Sequence, residues 1–94
     1  MTTELFSIWD SAAQRYLEPF FAPTIEYAIR QFRQAVNKPD HQFNLYPEDY
    51  TLFHVGSFDQ EEGQLQPLAT PHSLGVAMSF IQKPSEALKV VNDA

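Results

Sequence analysis

The sequence predicts an α+β fold: an antiparallel sheet of ββαββ order, with one main helix on one face and a short helix near the C-terminal end. Three observations predict it. The run "TIEYAIRQFRQAVNK" has the apolar spacing of a helix. The stretches "LFSIWD" and "YTLFHVGSF" on either side of it are rich in aromatic and β-branched residues. Each is followed by a polar turn, and strands interrupted by a single helix favour a sheet with its helix segregated to one face.

The first hairpin comes from "LFSIWDSAAQRYLEPFF". Leu5–Trp9 forms one arm and Tyr16–Phe21 the other, around a polar turn. Pro19 has no N–H to give to a ladder, so the second arm reads as an edge or carries a bulge. The helix follows. Thr24 is its N-cap, with a hydroxyl placed to accept an orphan helix N–H. At about 100° per residue, Ile25, Ala28, Ile29, Phe32, Ala35 and Val36 fall within one arc. Glu26, Arg30, Arg33, Gln34 and Asn37 fall opposite. Glu26 precedes Arg30 by one turn, the favourable order for a helix ion pair. Pro39 ends the helix, because it disfavours helical backbone in the residue before it.

The segment "DHQFNLYPEDY" is too apolar for a solvated connection, and Phe43, Leu45, Tyr46 and Tyr50 are expected to fold it back over the core. Simple alternation along the next strand puts Tyr50, Leu52, His54, Gly56 and Phe58 on one face. It puts Thr51, Phe53, Val55 and Ser57 on the other. Neither set is polar, so both faces of this strand need cover. "DQEEG" is a tight acidic turn in which Gly63 takes positive φ, and "QLQPLA" returns as an arm ending near Pro67. Thr70-Pro71 has the form of an N-cap followed by a first-turn proline. The short helix "HSLGVAMSFI" would follow, weakened by Gly75. Residues 1–82 are read as one α+β domain and 83–94 as a flexible tail.

Composition bounds the function. The 94 residues are 44% hydrophobic and 14% aromatic, enough for one core without staples. There is no cysteine, which excludes disulfides and thiolate chemistry. The start "MTTELFSIWD" has no signal-peptide pattern. No apolar run approaches the roughly 20 residues of a membrane span, so the expectation is a soluble intracellular domain with no membrane contact. The net charge is −6. Phosphate-backbone binding rests on several Lys and Arg contacts, and the cations here are few. Arg30, Arg33 and Lys38 gather on or just after the helix.

No constellation signals catalysis. His41, His54 and His72 are scattered, lacking the spacing that sets two imidazoles on one helical face. The serines have no nucleophile elbow, and three glycines build no phosphate loop. The chain is read as a non-enzyme without metal or cofactor. A single-stranded nucleic acid would be gripped by Arg30, Arg33 and Lys38 on phosphates and by Trp9 and Tyr16 through base stacking. The plainer reading makes those arginines a solvated helix face and those rings packing. Apolar surface on a small domain also marks protein partners, with a homodimer the commonest closed form. Tyr46, Tyr50, Phe53 and Val55 are the candidates for that interface. A third reading is a small-ligand pocket beneath the aromatic loop.

The segments "PFFAP", "AIRQFRQAVN" and "PEDYTLFHVGSFDQEEG", in this order, resemble the small nonstructural protein of gokushoviruses, which are microvirus bacteriophages with single-stranded DNA. The resemblance covers about residues 5–68. It implies a non-capsid protein made in the cytoplasm of an infected bacterium, often labelled DNA-binding. It also implies a role between genome replication and packaging. No catalytic motif comes with it, and Arg30 and Asn37 are the matched helix positions. The combined expectation is a phage accessory protein of genome replication or packaging that binds single-stranded DNA. The alternative is a homodimeric module that recruits or blocks a phage or host replication protein.

Overall fold

The computed structural model describes residues 1–82. In chain order these form β1 (Thr2–Asp10), β2 (Arg15–Tyr16), β3 (Phe20–Ala22), α1 (Ile25–Val36), a four-residue α2 (Gln42–Leu45), β4 (Tyr50–Asp59) and β5 (Gln64–Val76). A 3₁₀ turn closes the order at Ala77–Phe80. The strands make one antiparallel sheet of order β2-β1-β4-β5, and β3 lies beside β2 on the same edge of β1. The class is therefore α+β, but the ββαββ order is not what is seen. Pro19 falls in the break that splits the second arm into β2 and β3, since it supplies no donor to the ladder.

The helix splits as its spacing requires. Ala28, Phe32 and Val36 are buried, whereas Glu26, Arg30, Arg33 and Gln34 are exposed. Thr24 Oγ1 accepts the Tyr27 N–H at 3.1 Å, and Asn37 caps the other end. The Asn37 amide donates to the carbonyls of Arg33 and Phe80 and accepts from the Gln82 N–H at 2.8 Å. It thereby ties the 3₁₀ turn to the helix end. Glu26 and Arg30 do not close the ion pair their spacing allows; among the described residues the side-chain pair is His54–Glu4.

The core lies between α1 and one face of the sheet. Phe6 and Ile8 from β1 and Leu52 and Tyr50 from β4 meet Phe32 and Val36. Phe43 from α2 closes the side, its ring 5.5 Å from Phe32 and 4.7 Å from Tyr50. The apolar loop thus folds back through Phe43 and Tyr50, whose rings fill the space beneath it, whereas Leu45 and Tyr46, expected to join them, are exposed. His41 Nδ1 accepts the Phe43 N–H at 3.1 Å and starts that turn.

The C-terminal half departs from expectation. Residues 70–76 do not begin a helix at Thr70-Pro71; they continue β5 and pair with residues 51–54. The reason is the length of β4, whose ten residues present unpaired backbone that the returning chain satisfies. Pro67 and Pro71 are tolerated because β5 is an edge strand with register breaks near both. Helical structure is confined to the 3₁₀ turn. The tail at 83–94 lies outside the described residues.

Candidate functional site

The functional surface is built by a change of phase within β4. On β1, Phe6 and Ile8 point at the helix, so Thr3, Leu5, Ser7 and Trp9 point away from it. On β4, Leu52 lies in the core and Phe53 on the open side. Between Gly56 and His54 the pairing with β1 slips by one residue at Val55. A bulge of this kind resets the alternation. Phe58 consequently lies on the open face with Phe21, their ring centroids 5.9 Å apart, and not with Leu52 as unbroken alternation requires. Gly56 permits the bulge. A Cβ there would sit 2.7 Å from the Gln66 carbonyl oxygen across the hairpin.

Two aromatic groups result on the uncovered face. Near one end, Trp9 and Tyr16 pair across β1 and β2, rings 4.9 Å apart, and Tyr16 meets Phe53 edge-on at 5.6 Å. Towards the other end, Thr3, Phe21, Phe58, Gln60 and Leu65 line an open groove of about 560 Å³. Tyr16, Phe21 and Leu65 are 43%, 52% and 61% exposed. Of the charged residues within the strands, Glu4, Asp10 and Asp59 fall on the helix side by register, while Arg15, with Glu18 of the following loop, stands beside Tyr16 at the edge of the sheet. Glu4 Oε1 lies 2.9 Å from His54 Nε2 on the helix side, an acceptor for the imidazole N–H. Asp10 and Asp59 each cap a turn, accepting two backbone N–H groups apiece. Arg15 stands opposite Asp10.

The residues expected to act together are divided by this arrangement. Trp9 and Tyr16 are brought into contact, as a stacking pair requires. Arg30 and Arg33 project from the outer side of α1, behind the sheet, with Lys38 just past the helix end. The Arg33 guanidinium lies 5.6 Å from the centre of the Phe80 ring, held by a cation–π contact. Arg30, Arg33 and Lys38 therefore share no groove with Trp9 and Tyr16. Of the residues expected at a protein interface, Phe53 is on the open face and Val55 is the bulge. Tyr46 is 61% exposed on the loop beside α2, away from Phe53. Tyr50, expected at that interface, belongs to the core instead. It is only 7% exposed, and its hydroxyl donates to Gln42 Oε1 at 3.3 Å. Burial first, then the nearby Asp10 and Asp49 carboxylates and Tyr46, raise its pKa above the ordinary tyrosine value.

Local pattern does not mark Phe21, Phe58 and Leu65 as surface-site residues. The available signal was Gly56, since a glycine inside a strand pattern marks a bulge or a close backbone approach.

A family model described as phage ORF5 protein matches residues 3–80 of the chain. The chain belongs to the phage ORF5 protein family. Protein ORF5 of Chlamydia phage 1 is 36% identical over 67 residues, an alignment covering 67% of this chain and 70% of that protein. The chain is thus a gokushovirus nonstructural protein, as the sequence motifs imply. The family match spans α1, both hairpins and the whole open face of this ORF5 family member. No solved structure matches the chain.

Proposed function

We propose that this phage ORF5 family member is a non-enzymatic accessory protein of single-stranded DNA genome replication or packaging. It works in the host bacterial cytoplasm by holding another protein against the open face of its sheet. One observation carries the reading: the face is dominated by aromatic and aliphatic side chains, Trp9, Tyr16, Phe21, Phe53, Phe58 and Leu65. A surface of that composition gains by shedding water onto a matching surface. With Arg15 beside Glu18 as its one neighbouring cation, it offers little to a phosphate backbone, whose affinity comes from several cations. The three histidines are accounted for without catalysis. His41 caps α2, His54 is paired with Glu4, and His72 stands on exposed β5.

A photo-crosslinking residue in place of Phe53, used in infected cells, tests the proposal. The expected adduct is to protein. An adduct to DNA alone contradicts it.

Contact with single-stranded DNA is the second reading, favoured by the Trp9–Tyr16 pair and its resemblance to a base-stacking platform. Trp9 is the single tryptophan, so quenching of its emission by an oligothymidine at low salt reports such stacking directly. Unchanged emission removes that reading.

A further inference from the structure

We infer that His54 and His72 chelate a late first-row divalent cation, such as Zn²⁺, between β4 and β5, with Glu4 as the residue that positions His54.

Spacing along the chain keeps these histidines apart, but the ladder makes them direct partners, His54 on β4 opposite His72 on β5. Directly opposed residues of an antiparallel pair share a face, with Cβ atoms about 4.5–5.5 Å apart. That separation suits two imidazoles meeting on one ion, whose Zn–N bonds are about 2.0–2.1 Å long.

The His54 ring is already held in one orientation. Its Nε2 lies 2.9 Å from Glu4 Oε1, and its ring packs against Phe6 with centroids 5.1 Å apart. With the Nε2 proton given to Glu4, the lone pair of the neutral ring is on Nδ1. That nitrogen has no hydrogen-bond partner among the described residues and is not sealed from solvent. A carboxylate that takes the far N–H of a metal-binding histidine fixes its tautomer and makes it a stronger ligand. Glu4 and His54 have that form before any ion arrives. His72 is exposed, so an ion reaches the pair from water.

Ligand type selects the ion. Neutral imidazoles suit zinc, copper and nickel, whereas calcium and magnesium take oxygen ligands. Among the described residues no three His, Cys, Asp or Glu side chains converge to hold a metal. Water therefore completes the coordination, and Glu4 acts through His54 without touching the ion.

Position gives the ion a task. The pairings Phe53–Ser73 and His54–His72 stand alone between two register breaks, one at Leu52/Phe53 and one at His54/Gly56. The ladder that holds β5 is thinnest here. An ion bound to both strands clips the edge strand to β4, and by favouring the folded chain it stabilises the protein through mass action.

Calorimetric titration of the full chain with Zn²⁺ tests this. Wild type is expected to bind one ion per chain, and its thermal midpoint to rise with zinc. Glu4→Gln should weaken binding about 10-fold, the scale for a group that orients a ligand. His72→Ala should weaken it further. So should His54→Gln, whose amide keeps a donor for Glu4. His41→Asn removes the third imidazole yet retains a capping side chain, and should leave the affinity unchanged. Circular dichroism of the zinc-free proteins should agree throughout. Nitrogen NMR of the imidazoles should show zinc shifting His54 Nδ1 while Nε2 keeps its proton. No binding at millimolar zinc overturns the inference. So does binding that His72→Ala and His54→Gln leave unchanged, or that His41→Asn weakens as much as they do. A zinc-induced shift at Nε2 in place of Nδ1 overturns the role given to Glu4.

Discussion

The two faces of this sheet are both rich in aromatic residues, yet the molecule treats them in opposite ways. On the helix side, Phe6, Leu52 and Val36 are fully buried, and the polar groups have partners within the chain. On the open side, Trp9, Phe53 and Phe58 pack against neighbouring rings in the same layer, and Tyr16, Phe21 and Leu65 remain exposed. Aromatic content therefore does not by itself separate core from interface. What separates them is a second layer: α1 supplies it on one side, and on the other the chain provides none among the described residues.

Truncation should break this comparison most sharply. Phe6→Ala removes a fully buried ring and should cost about 3–5 kcal/mol in chemical denaturation. Phe53→Ala should cost the isolated chain less than half of that. Equal losses would mean that the open face is a core of its own. Gly56→Ala should come next, at about 1–3 kcal/mol, because the added methyl meets backbone that cannot swing aside. The same change would disturb the bulge that carries Phe58 to the open face, seen as altered amide shifts for Phe58 and Leu65.

How far these contrasts are legible in the sequence depends on the residue. The helix was fully legible: Thr24, the apolar arc through Phe32 and Val36, and Asn37 are local signals that the fold obeys. The acidic turn was legible too, through Asp59 and Gly63, which has φ of +69°. Phe58 was not, because alternation counted from Leu52 assumes an unbroken ladder, and the slip at Val55 is set by pairing with β1. Thr70-Pro71 misled for a similar reason. It has the local form of a helix start, and the long unpaired edge of β4 overrode it. Trp9 and Tyr16 meet because they stand on adjacent arms of one hairpin, whereas charge and residue type, the signals that associate Arg30 and Arg33 with them, say nothing about the side of the sheet.

The two hairpin turns sharpen the picture on a smaller scale. Both begin with a capping aspartate, Asp10 or Asp59, and both place a residue at positive φ four positions later. In the second turn that residue is Gly63, but in the first it is Gln14, at φ of +58°. Left-handed backbone costs a side-chain-bearing residue about 1 kcal/mol. Gln14→Gly should therefore raise the denaturation midpoint by an amount corresponding to about 1 kcal/mol, less the loss of the Gln14 side-chain bond to Ser11. An unchanged or lower midpoint would show that this bond matters more than the strain.

The smallest expected effect is alkaline. Tyr50 has its pKa raised in the folded chain, so the folded state holds its proton more tightly than the unfolded state does. The corresponding stability is complete below the ordinary tyrosine value of about 10 and is lost as pH rises through the folded value. Tyr50→Phe should flatten the fall in stability above about pH 10. A fall of the same slope in the variant would place its origin elsewhere.

The central claim is that the open aromatic face of the sheet is a protein-contact surface, and a photo-crosslinking residue in place of Phe53 tests it most directly. In infected cells it should give adducts to protein, whereas the same residue in place of Gln34, on the exposed side of α1, should give far fewer. Adducts to DNA alone, or equal protein adducts from both positions, would contradict the account.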